Sequence, residues 1–171
     1  MKKNGFLAGL LEVLETVVIV FITVFVLTKF ILLPCVVVGS SMESTLLDGD
    51  MGYSFIITKK INIKRFDICV IDTEGLSGDK LLVKRVIGLP NDLVEYKNNK
   101  LYINGEFVEE NFLDDVYTED LSIKLNDGEY YCLGDNRNIS KDSRFYGPFE
   151  EERIKSTNYF VLYPFDRFGV K

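Results

Sequence analysis

Apolar and polar residues are arranged in two different ways along this chain. From Thr16 to Thr28 thirteen consecutive residues are Val, Ile, Phe, Leu or Thr, and none is charged. The run resumes beyond Lys29 as Phe30–Leu33, and Pro34 closes it. Thirteen helical residues rise only about 20 Å, short of a hydrocarbon core of about 30 Å. The eighteen residues Thr16–Leu33 rise about 27 Å, enough to span it once Lys29 snorkels to the far interface. The pattern predicts one transmembrane helix over 16–33, after a short segment 1–15 whose Glu12 and Glu15 lie at the near interface. A core helix would show a polar face, and residues 16–28 show none. A cleaved export signal would end in small residues, which "LTKFILLPCVVV" lacks, and the proline before Cys35 does not suit lipoprotein processing. The segment is expected to persist as an uncleaved anchor.

From Pro34 onward the apolar runs shorten and turn residues punctuate them. "DMGYSFIIT", "FDICVID", "KLLVKRVIGL", "LVEYKNNKLYINGEFV", "EYYCLGDN" and "NYFVLYPF" are rich in Val, Ile, Tyr and Phe, the composition of strands. Asn98-Asn99 and Asn104-Gly105 predict two consecutive hairpins inside a sub-domain of about residues 92–126. The acidic stretch "EENFLDDVYTEDL" reads as a solvated loop or excursion. "GYSFIIT" fits a core strand and a lipid-dipping segment equally well. The fold class expected is mostly β: a single amino-terminal transmembrane helix, then an antiparallel β domain over 34–171.

Charge narrows the partners. The chain has 171 residues, is 47% hydrophobic and carries a net charge of −6, so phosphate-rich nucleic acid is not an expected partner. Lys2, Lys3 and Lys29 against Glu12 and Glu15 give the first 38 residues +1, leaving −7 on the remainder. The positive-inside rule then predicts a cytoplasmic N-terminus and an acidic domain outside the membrane. Cys35, Cys69 and Cys132 are widely spaced and read as small apolar residues. With no His and no Cys cluster, neither zinc nor another cofactor is expected.

A serine hydroxyl attacks only once its proton is removed. Ser40, Ser41, Ser44 and Thr45 crowd "GSSMESTLLDGD", directly after the anchor. The absence of His excludes a Ser-His-Asp arrangement, leaving a carboxylate, a lysine or the terminal amine as base. An ordinary lysine, of pKa about 10.4, is neutral in about one part per thousand near pH 7.4, a penalty of about 4 kcal/mol. Apolar burial lowers a lysine by up to about 3–5 units and removes that penalty. Lys84 in "LLVKRVIGLP" shares its strand face with Leu82 and Val86, whereas Lys59, Lys60, Lys64, Lys97, Lys100, Lys141 and Lys155 keep polar company. A lysine that blunts an edge strand would give the same pattern. Ser40, Ser44 and Thr45 could equally cap a turn ended by Asp48-Gly49. Residue chemistry alone therefore leaves both nucleophile and base open.

Five segments in order resemble the type I signal peptidases, membrane-anchored serine proteases with a Ser–Lys dyad, and most of all the short Gram-positive members. "GSSMESTLLDGD" resembles the nucleophile box, "KRFDICVID" the next strand, and "LLVKRVIGLPND" the lysine box. "LYINGEFVEE" resembles the following hairpin and "LGDNRNISKDSRFYGPFEEERI" the G-D-N-R…S-x-D-S-R box, with "YPFDRFG" closing the chain. The resemblance implies Ser41 as nucleophile, with its backbone N–H at the oxyanion, and Lys84 as general base. It implies Ser140 as the hydroxyl that aims the lysine, an Asp142–Arg144 ion pair holding the loop, and Asp135 and Arg137 as further supports. No metal is implied. The implied partners are signal peptides of exported precursors, cut after small residues at the outer face of the lipid bilayer. The sequence departs from the family pattern at Ser44, where many members have proline, and at Gly39, where some have an oxyanion-holding serine. A self-cleaving repressor protease would share the dyad but not the anchor. A non-catalytic anchored factor for assembling surface proteins such as pilins is the reading that Ser44 keeps open.

Overall fold

The structure is a computed structural model that describes residues 3–56, 62–76, 80–113 and 116–171. Helix α1 (Lys3–Val26) runs into a π turn, Leu27–Ile31. The stretch Gly5–Ile31 is long and apolar enough to cross a membrane, and none of it is buried against protein. An apolar helix exposed all round finds its solvent in lipid. Its bounds differ from the predicted 16–33. The helix starts well before Thr16, so Glu12 and Glu15 lie within it, and Leu32 and Leu33 already belong to strand β1 (Leu32–Val36). Gly5–Leu11 is almost wholly apolar, which lets helix propagate upstream of the glutamates.

The rest is antiparallel sheet. Its further strands are β2 (Met51–Phe55), β3 (Ile68–Asp72), β4 (Leu81–Gly88), β5 (Leu93–Lys97), β6 (Lys100–Ile103), β7 (Glu106–Val108), β8 (Leu121–Lys124), β9 (Glu129–Leu133), β10 (Phe149–Glu150), β11 (Ile154–Tyr163) and β12 (Gly169–Val170). The larger sheet is ordered β1-β2-β11-β3-β4-β9-β10, with β12 on β11, and the smaller β7-β6-β5-β8. Asn98, Asn99, Asn104 and Gly105 all have positive φ, which small polar residues and glycine tolerate, and they close the two tight hairpins of the smaller sheet. Residues 57 and 58 of "GYSFIIT" lie outside the described residues, as do Asp114 and Asp115 of the acidic stretch; 109–113 and 116–120 have no regular structure.

Two clusters of buried side chains matter for the site. Ile87, Tyr131 and Leu133 of the larger sheet pack with Val94, Tyr96, Leu101, Ile103 and Leu125, which joins the smaller sheet to the back of β4 and β9. Met42 and Leu46, on the turn after β1, pack with Val37, Ile68, Tyr159 and Val161. That second cluster sets the serine-rich turn on the larger sheet.

Candidate active site

Residues 40–46 form a tight turn with Met42 buried beneath it and Ser41 half-buried at its crest. The Leu46 N–H donates to the Met42 carbonyl at 2.9 Å, and the Asn136 N–H donates to the Ser41 carbonyl at 3.1 Å. Gly39 enters the turn at φ +86°, the left-handed region that favours glycine, and its N–H donates to Asp48 Oδ1 at 2.7 Å. Arg167, from the carboxy-terminal segment, clasps the turn's far end. Its guanidinium donates to the Thr45 carbonyl at 2.9 Å and to both oxygens of the buried Asp50 carboxylate.

Lys84 lies in β4 opposite Cys69 of β3 and is only 1% exposed. Its Nζ donates to Ser41 Oγ at 2.6 Å. Burial is the largest influence on its pKa and drives it below the ordinary 10.5; Asp142, Cys69 and Asp135 pull the other way without restoring it. Cys69 and Cys132 pack beside it as free thiols with sulfurs 3.8 Å apart, and burial pushes the Cys132 thiol well up. The predicted small apolar role fits these two.

Arg85, next along β4, points to the opposite face. It donates to both Asp135 oxygens at 2.9 and 2.6 Å, to Thr45 Oγ1 at 3.1 Å and to the Phe66 carbonyl. Thr45 Oγ1 in turn donates to Asp135. Asp135 is thus paired with Arg85, a cation that the motif reading did not single out. Arg137 supports at longer range, holding Glu110, Tyr96 and Thr118 of the smaller-sheet region. Arg144 Nη2 meets Asp142 Oδ2 at 2.8 Å and also donates to the Arg137 carbonyl, so the two residues pair and close the loop 137–144. Asp142 caps the short helix α2 (Ser143–Tyr146) and accepts from the Gly134 N–H at 3.0 Å. Burial raises the Asp142 carboxyl, but the bonds from Arg144 and Gly134 outweigh it and hold the group below the usual carboxylate range.

Ser140 departs from expectation. Its Oγ is buried beside the Asp142 carboxylate, whose pKa it helps to lower, and does not hydrogen-bond Lys84. The reason is local: the Ser140 side chain sits over Gly134, and Lys84 turns its amine to Ser41 instead. Gly134 is a sterically constrained position that motif reading passed over. A Cβ there would collide with Ser140 Oγ and with the Ser41 carbonyl oxygen. The only signal for it was a glycine at the start of "GDNR".

A groove of about 470 Å³ ends at these groups, lined by Pro34–Val38 on one side and Lys80–Lys84 on the other, with Ser41 and Met42 at one end. Strand β9 pairs with β4 only from Arg85 onward, so Leu81–Lys84 keep one edge unpaired among the described strands. No group of His, Cys, Asp and Glu suited to a metal occurs among the described residues.

Comparison with known proteins shows the family. The family profile described as signal peptidase, peptidase S26, matches residues 10–163. Signal peptidase IB of Staphylococcus aureus (strain Mu50) is 35% identical over 98% of this chain and 94% of its own. Signal peptidase I of Bacillus licheniformis is 34% identical over 96% and 92%. The crystal structure of a signal peptidase I from Enterococcus faecalis V583 superposes with a TM-score of 0.52 at 32% identity, covering 56% of this chain and 96% of that one. With sequence similarity over nearly the whole length and a serine beside a buried lysine, the chain belongs to the signal peptidases of peptidase family S26 and is a serine peptidase.

Proposed function

We propose that the chain removes amino-terminal signal peptides from exported precursors, with Ser41 as nucleophile and Lys84 as general base. The observation that carries this is the 2.6 Å contact between Lys84 Nζ and Ser41 Oγ, made by a lysine that burial favours in its neutral form. With a neutral amine the same contact runs the other way, the hydroxyl donating. Ser41 Oγ then attacks the scissile carbonyl carbon as its proton passes to Nζ. The oxyanion rests on the Ser41 backbone N–H, because Gly39 offers no hydroxyl. The C–N bond breaks as the Lys84 ammonium protonates the leaving amine, and an ester on Ser41 remains. Lys84 next takes a proton from water, which hydrolyses the ester.

The groove suits an extended peptide. The free edge of Leu81–Lys84 can pair with it as an added strand, and residues 36–38 face it from the other wall. The groove's modest volume favours small side chains before the cut. Ser140 supplies a second hydroxyl near the dyad, beside the Asp142 carboxylate. The N-terminus lies in the cytoplasm, Gly5–Ile31 crosses the bilayer, and the domain from residue 34 works on the outer face.

Cleavage of a membrane-inserted precursor by the purified chain tests the dyad. Ser41→Ala and Lys84→Ala should each retain the fold and lose about 10³-fold in rate. Full activity in either variant would falsify the assignment. A well-folded wild type that binds precursors without cutting them would favour the assembly-factor reading.

A further inference from the structure

A second cavity, of about 190 Å³, lies beyond the nucleophile and shares no lining residue with the groove. Phe112, Leu113 and Val116 wall it, Glu43 and Ser44 form one rim, and Asn136 stands on the other beside Asp135. It is tied closely to the reacting serine. Asn136 holds the Ser41 carbonyl at 3.1 Å. Glu43 follows Ser41 by two residues, at most about 7 Å of backbone, which is the reach of about two extended substrate residues. Ser41 and Met42 line the groove while Glu43 and Ser44, next in the same turn, line this cavity, so the turn that carries the serine borders both spaces.

The charges at the rim are unequal. Asp135 is committed to Arg85 and Thr45. The Glu43 side chain is exposed, and among the described residues its carboxylate has no hydrogen-bond or ion-pair partner. The wall is stiff, since Phe112 has the Arg85 guanidinium 4.0 Å from its ring centre and Phe66 edge-on at 5.0 Å.

We infer that this cavity receives the side chain of one of the first three residues beyond the scissile bond, and that Glu43 makes it prefer a basic side chain to an acidic one. The inference rests on the reading of Ser41 as nucleophile. A lysine or arginine lays its methylene stem on Phe112, Leu113 and Val116 and brings its cation to Glu43. An aspartate or glutamate would bring a second negative charge to the same carboxylate. Exposed pairs of this kind change rates modestly, by about two- to fivefold.

The test uses the full chain and membrane-inserted precursors that differ only in carrying Lys or Asp at the first, second or third position after the cut. The two precursors compete in one reaction. Wild type should cut the Lys precursor about three times faster at one of these positions. Glu43→Lys should invert that order, and about 1 M salt should shrink both preferences. Equal rates at all three positions, or a wild-type preference that survives Glu43→Lys unchanged, overturns the inference alone. Failure of wild type to cut either precursor overturns the nucleophile reading, and the inference falls with it.

Discussion

Lys84 shows how position alters a common residue: buried in β4 against Ser41, it is pushed below the ordinary lysine pKa. Its partners on the same strand face were legible as Leu82 and Val86, but period-two alternation fits an edge-strand lysine as well, and only the order of the motifs favoured Lys84. A protonated Lys84 cannot accept the serine proton, so activity should be lost as pH falls through its lowered pKa and be complete above it. The pH–rate profile should therefore level off well below 10.5, the ordinary value. Stability has the same sign. Between the folded and unfolded pKa values the unfolded chain binds more protons, so the contribution of this site to folding grows as pH rises. Gly134 and Ser140 were harder to read. The glycine's role depends on two segments meeting in space, the Ser41 carbonyl and the Ser140 hydroxyl, and nothing local records that meeting. Gly134→Ala should cost about 1–3 kcal/mol in denaturant unfolding and, on the proposed role of Ser41, lower cleavage more than the stability loss explains, because the displaced atom is the Ser41 carbonyl oxygen.

At the scale of elements, the turn that carries Ser41 is held by its own buried residues and by two segments far along the chain. Met42 and Leu46 bury it, Asn136 fixes its crest, and Arg167 ties its far end to Asp50. Arg167→Ala leaves the buried Asp50 carboxylate without its cation. The arginine is partly exposed, which moderates the cost to about 2 kcal/mol in chemical denaturation. The loosened turn should also lower kcat, by about tenfold. Arg167→Lys should recover only part of either loss, since an ammonium cannot reproduce the forked contact. Strands bounded by asparagine and glycine turns, β5 to β7, were readable from those turns. Strand β1 was not, because Leu32 and Leu33 continue an apolar run and helix gives way to strand inside it. Strand β8 hides in a charged stretch, and its pairing with β5 rather than its composition makes it a strand.

Across the whole molecule, one apolar helix leads directly into the sheet that carries the site: Ile31 ends the helical segment and Leu32 begins β1. The groove's Pro34–Val38 wall is thus only a few residues from the end of the candidate membrane-spanning helix, where the proposed function requires a membrane-held signal segment to emerge. Tethering enzyme and precursor to one surface raises their effective concentration. A chain lacking residues 1–31 should cut a soluble peptide at nearly the full rate and a bilayer-inserted precursor about 10²-fold more slowly. The fold class and the serine–lysine pairing were largely legible from patterning and motif order. The supporting cations Arg85 and Arg167 were not, since each acts on a partner 50 or more residues away in the chain.

The most direct test is acylation of Ser41 by a serine-directed acylating probe, followed by mass spectrometry from pH 6 to 10. It compares wild type, Lys84→Ala and Ser41→Ala. A Ser41–Lys84 dyad predicts one adduct on Ser41 in wild type, forming faster as pH rises through a midpoint below 10.5, and none in either variant. An adduct that forms equally fast without Lys84, or that lies on a residue other than Ser41, would contradict it.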